Sequence, residues 1–162
     1  MERKILLLGD PRLYEVSEPV PAQDIPAIGG VIADLHDTLM AFRKKYNCGR
    51  AIAAPQIGVK KRVLYMNIDR AYVFINPSLE FPDGEMFEVM DDCMSFPGLL
   101  VKVMRHKHCT IRYTDENGCP QAMELMGDLS ELLQHEYDHL DGILAVQRAI
   151  DDRSFFIKEV DG

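Results

Sequence analysis

The sequence predicts an α+β protein in which antiparallel sheets pack around a central, metal-binding helix. Short β-prone runs broken by Gly, Pro, Asn and Asp fill the middle of the chain. An apolar stripe of helical period precedes them, and a Leu-rich one follows. The second stripe carries His135-Glu136-Tyr137-Asp138-His139, a His-Glu-x-x-His spacing suited to a metal.

The opening is irregular. Gly9-Asp10-Pro11-Arg12-Leu13 and Pro19-Val20-Pro21 punctuate it, so it is expected to wrap over the body rather than enter a sheet centrally. A helix is expected over 25–46, where Ile28, Ile32, Leu35, Leu39, Phe42 and Tyr46 recur at alternating steps of four and three. Asp24 is its expected N-cap, and Pro26 lies in the first turn, where a missing N–H is harmless. Gly29-Gly30 weakens the start. Asn47 and Gly49 end it, and His36 is read as structural or solvated.

The dense small residues of 49–58 let the backbone pass close to something else. They form either a tight packed loop or one lining a cleft, with Gln56 aimed inward as an amide donor. Strands are expected at 63–67, 72–76, 86–90, 99–104, 109–114 and 121–126, with a hairpin turn at Glu116-Asn117-Gly118. Between the third and fourth, Asp91-Asp92-Cys93-Met94-Ser95-Phe96-Pro97-Gly98 places two acids beside one thiol. His106 and His108 would share a strand face, but Lys102, Arg105 and Lys107 around them favour a solvated basic edge. A short strand or turn is expected at 143–146 and a short terminal helix at 151–160.

Gly127-Asp128 starts the late helix, with Asp128 as N-cap and Glu131 three residues on, a variant capping box. Leu129, Leu132, Leu133 and Leu140 supply its stripe, and Gly142 stops it. His135 and His139 then lie one turn apart on one face, with Glu136 about 100° round from His135. A divalent ion lowers the pKa of its water to about 7, and a neighbouring carboxylate can take the proton. That is machinery for amide hydrolysis. A chance His-x-x-x-His on a solvated helix is the bland alternative.

The totals narrow the choice. The 162 residues favour one domain, 1–162, with 47% hydrophobic and 27% charged residues. A net charge of −8 argues against a nucleic-acid footprint. No apolar run approaches the roughly 20 residues of a membrane span, and the N-terminal one is too short for a signal peptide, so a cytoplasmic location is the default. None of Cys48, Cys93, Cys109 and Cys119 forms a Cys-x-x-Cys pair, and buried apolar roles are their default, Cys93 excepted. Two histidines leave a tetrahedral ion one protein ligand short. The third could be Asp, Glu, His or Cys, and spacing does not choose.

Nearly the whole chain resembles a peptide deformylase. Gln134-His135-Glu136-Tyr137-Asp138-His139-Leu140-Asp141-Gly142 matches that family's Gln-His-Glu-x-Asp-His-Leu-x-Gly. Residues 49–56 resemble its Gly-x-Gly-Leu-Ala-Ala-x-Gln, and Asp91-Asp92-Cys93-Met94-Ser95 resembles its Glu-Gly-Cys-Leu-Ser. Residues 9–13 and Ile75-Asn76-Pro77 sit where the family has similar segments. The resemblance implies Cys93, His135 and His139 as metal ligands and Glu136 as general base, then general acid. It implies Gln56 and the Met94 backbone N–H as oxyanion donors. It also implies one divalent ion, commonly iron(II), with zinc, nickel or cobalt able to occupy the site. The implied substrate is an N-formylated peptide or nascent chain, formyl-Met or a divergent relative. Action at the ribosome would follow, although nothing in this acidic sequence shows a ribosome contact.

The chain also departs from the family pattern. Arg50, Ala51 and Asp92, at the expected substrate-binding positions, replace an apolar residue and two glycines. Arg105 is expected to pair with Asp91, or to form a bland surface ion pair. Asp128 and Glu131 stand where related sequences have Leu, and Arg or an apolar residue. With Asp92 they would make the pocket polar and negative and favour basic formyl substrates; otherwise Asp128 only caps and Glu131 points to water. Two other functions are weighed: a zinc peptidase using the same pattern, and a catalytically silent peptide- or metal-binding homologue.

Overall fold

The computed structural model describes residues 1–158. A first antiparallel sheet runs in the order β1 (Ala51–Ala53), β2 (Val63–Asn67), β3 (Ala71–Glu80), β6 (His108–Thr114), β7 (Pro120–Met126). A second is formed by β4 (Met86–Asp91), β5 (Leu99–His106) and β8 (Phe155–Ile157). Among the described residues two α-helices complete the α+β fold, α1 (Gly29–Tyr46) and α2 (Asp128–Leu140).

The first sheet is covered on both faces, which explains why β2 reads as a continuous apolar run. Val63 and Tyr65 face α1, packing with Leu35 and Leu39. Leu64 and Met66 face α2, packing with Leu133 and Leu140. Helix α2 touches β1 and β7 of the first sheet and β5 of the second. It is therefore buried nearly all round. Gln134 fixes it where the chain crosses between sheets: its Oε1 accepts from the His106 N–H at 2.9 Å and its Nε2 donates to the His106 carbonyl at 2.7 Å.

Several expectations are corrected. Helix α1 begins at Gly29, because Pro26 and the restriction it puts on Ile25 turn Ala22–Ala27 into a 3₁₀ segment. Asp24 lies inside that segment and caps nothing. Strand β3 runs on through Pro77 to Glu80; the register shifts between Ile75 and Ser78, which accommodates the missing N–H. The small-residue stretch is strand β1 followed by a 3₁₀ turn, Ala54–Ile57. On α2 the N-cap is Gly127, with no side-chain cap, so Asp128 and Glu131 make no capping box. His106 and His108 end and begin strands in different sheets, so they share no strand face. Residues 143–146 run into a 3₁₀ turn, Ala145–Arg148. The expected terminal helix is replaced by β8, whose backbone pairs with β5 from Leu99 to Val101; its last residues, 159 and 160, lie outside the described ones. No helix among the described residues is long and apolar enough to cross a membrane.

The irregular opening does wrap the body. Leu6 and Leu8 donate to the carbonyls of Gln56 and Ser95 at 2.8 Å each, and Ser17 to that of Leu140 at 2.8 Å. It passes close to Gly142, where φ is +71° and a Cβ would lie 2.4 Å from the Tyr14 carbonyl oxygen. Gly142→Ala combines a left-handed backbone with a backbone clash. It is expected to cost at least about 2 kcal/mol, read as a lower urea midpoint at unchanged slope.

Candidate active site

Helix α2 and the turn after β4 meet in one buried cluster. One ligand atom each from Cys93, His135 and His139 lies within 4.8 Å of the others, with Cys93 Sγ 3.4 Å from His139 Nε2. A tetrahedral ion bonded at about 2.3 Å to sulfur and 2.1 Å to nitrogen would hold such atoms about 3.6 Å apart. Two polar atoms here are buried without any hydrogen-bond partner, His135 Nε2 and Glu136 Oε2. Orphaned buried atoms of this kind are rare and costly. Their presence, with a thiol and two imidazoles, fits a site built for a cation.

A line of ion pairs stands behind His135. Its Nδ1 donates to Asp91 Oδ2 at 3.0 Å, which leaves the Nε2 lone pair for the cluster. Asp91 also accepts from Arg105 Nη2 at 2.7 Å, and Arg105 Nη1 reaches Asp138 at 2.7 Å. Arg148 closes the line with 2.6 and 2.9 Å bonds to Asp138. Arg105 is 3% exposed, so its pair with Asp91 is no surface ion pair. Sequence reasoning assigned no role to Asp138 or Arg148. One available signal was that Arg105 continues the inward alternation of Val101 and Val103 on β5, where an arginine needs buried partners.

The electrostatics follow from burial and these neighbours. Burial would raise the Asp91 carboxyl, but His135 and Arg105 reverse this and lower it to about 2. Burial disfavours a charged His135, yet Asp91 and Cys93 outweigh it and move its pKa upward. Surroundings that favour a positive charge on this ring also favour a cation beside it. Burial and His135 push His139 down. Burial pushes Glu136 up to about 7, against the opposing pull of His135.

These groups open onto a cavity of about 530 Å³, lined among others by Arg50, Ala51, Asp92, Met94 and Glu136. Gln56 and His139 sit behind its wall. Gln56 is held by its Oε1, which accepts from the Ala53 N–H at 2.9 Å; its Nε2 faces Ser95 Oγ at 3.1 Å and Cys93 Sγ at 3.5 Å. Among the described residues the Met94 N–H meets no backbone acceptor. Asp92 has no positive φ, so replacing a glycine there carries no left-handed strain.

The expected negative pocket is corrected on two counts. Asp128 is exposed and does not line the cavity. Glu131 does line it rather than pointing to water, but Arg50 Nη2 lies 3.3 Å from its Oε1. Asp92 is likewise paired, with Lys158 Nζ at 2.9 Å. The lining mixes apolar side chains, Phe42, Met94 and Leu132 among them, with these paired charges. Outside it, His108 approaches Asp83 at 3.0 Å on the surface, while His106 stacks on Phe81 at 3.8 Å between centroids. The two histidines share no site.

A family model described as polypeptide deformylase matches residues 2–154. The chain is 36% identical over 159 residues to the peptide deformylase of Pseudothermotoga lettingae, covering 98% of this chain and 90% of that protein. It is 39% identical over 147 residues to that of Hahella chejuensis, covering 88% and 84%. The crystal structure of a peptide deformylase from Legionella pneumophila superposes with a TM-score of 0.83 at 34% identity, covering 91% of this chain and 86% of that one.

Proposed function

This chain belongs to the polypeptide deformylase family, and from that premise we propose that it hydrolyses the N-formyl group from the first residue of peptides and nascent proteins. The whole chain acts as one domain, in the cytoplasm and on chains emerging from the ribosome. The observation that carries this reading is the meeting of a thiol and two imidazoles with the buried carboxyl of Glu136 at the wall of an open cavity.

Cys93, His135 and His139 would hold one divalent first-row ion, with iron(II) proposed as the native one and zinc, nickel or cobalt as substitutes. Thiolate and imidazole donors suit that class of ion. When bound, it supplies Lewis acidity and lowers the pKa of coordinated water. The chain's own groups do the rest. Glu136, with its pKa raised to about 7, takes a proton near neutral pH and returns it to the leaving amine. Gln56 Nε2 and the Met94 N–H donate to the oxygen that becomes negative, each worth on the order of 3 kcal/mol in a dry site. Arg50, Ala51 and Asp92 contact the peptide. A zinc peptidase, which usually takes a Glu or His beyond the helix as third ligand, is disfavoured by Cys93 Sγ lying 3.4 Å from His139 Nε2.

Protein purified without oxygen is expected to carry about one metal per chain and to release formate from formyl peptides. Cys93→Ala is expected to remove both the metal and the activity. Full metal content in that variant would remove Cys93 from the ligand set.

A further inference from the structure

We propose that a second, smaller groove beside the cavity is a subsite for a large apolar side chain of the peptide, downstream of its first two residues; this rests on the deformylase reading and places no demand on the first residue. The groove holds about 200 Å³ and shares Phe42, Tyr46, Met94 and Pro97 with the cavity, but not Cys93, His135 or Glu136. It therefore continues the cavity away from the reacting groups. Its walls are the second half of α1 and the opening segment that wraps the body. They are pinned in place: the Arg3 N–H donates to Thr38 Oγ1 of α1, and the Leu8 N–H donates to the Ser95 carbonyl, each at 2.8 Å. The groove is thus formed before any peptide arrives.

The wall residues set what the groove takes. The Phe42 and Tyr46 rings stand 4.5 Å apart between centroids and make an aromatic side. Met94 is buried behind it, and the opening segment adds Ile5 and Leu7. Leu7 is 53% exposed, so apolar surface remains here for a ligand to cover. The charges along the rim oppose one another. Arg3 is taken up by Asp34 at 2.8 Å, and Glu2 accompanies Lys4 and Lys45. With signs mixed, the area removed from water decides the preference. The Met94 N–H is the proposed donor to the formyl oxygen. The groove that the same residue lines is then only a few residues further along an extended peptide, at about 3.3 Å per residue.

The test uses heptapeptides that begin with formyl-Met and are otherwise serine, with a single Leu moved from the third position to the seventh. Formate release gives kcat and KM, and titration calorimetry with the deformylated products gives affinity independently of turnover. The metal-loaded wild type is expected to gain about 3–10-fold in kcat/KM when Leu stands at one position of the series, through a lower KM at unchanged kcat. Ala41→Gln fills the groove from α1, and Leu7→Ser removes apolar wall. Each is expected to abolish the gain, measured against the all-serine peptide on the same protein. A merely structural defect would slow every peptide alike and leave that ratio unmoved. A gain at no single position, or one that survives in either variant, overturns the groove, and formate release then leaves the deformylase standing. The same positional preference in calorimetry without formate release supports the groove and overturns the activity.

Discussion

Glu136→Gln is expected to keep the fold and the metal while lowering kcat by about 10²–10⁴-fold, the usual contribution of a positioned general base. Glutamine has the shape of glutamate but cannot take a proton. Glu136 ligates nothing in the proposed site, so metal content measured on the same sample should match the wild type. Glu136 Oε2 is buried without a partner, and burial raises its pKa to about 7. A carboxyl held this way costs stability, so the variant is expected to melt no lower than the wild type. Loss of turnover without loss of metal or stability separates a proton carrier from a structural acid. Retained turnover would transfer the base to another residue.

Arg105→Leu is expected to destabilise the protein by about 3–5 kcal/mol, because two buried carboxylates lose their shared cation. For a chain of this length that corresponds to a melting point lower by roughly 10 °C. Asp91 and Asp138 each receive a 2.7 Å bond from this one guanidinium. Arg148 still holds Asp138, but Asp91 keeps only His135. The His135 ring is then less well oriented, and metal affinity is expected to fall by about 10–100-fold. Arg112→Leu is the control: its pair with Glu80 is more than half exposed on both sides and should matter little. Equal melting points for the two variants would refute the argument.

The elements legible in the sequence are those built from local signals. Strand β2 falls at 63–67 as its apolar run predicts, and α1 ends where Asn47 takes the left-handed conformation, φ 55°. The mismatches occur where a distant partner decides. Residues 155–157 become a strand because β5 offers them a free edge, which no pattern within 151–160 announces. Nearly every side of α2 is buried, so its apolar stripe understates its central place.

The same division governs the site. By itself the sequence determined that His135 and His139 share one helix face with Glu136 beside them, because i, i+4 proximity is a property of the helix alone. Tertiary structure alone decided that Cys93, 46 residues earlier, reaches His139, and that Arg50, 81 residues before Glu131, cancels its charge. It also decided that Arg105 is buried between two acids rather than solvated on an edge. The reason is physical: helical periodicity acts over a few residues, whereas ligand convergence and charge compensation depend on which distant segments the packed core brings together.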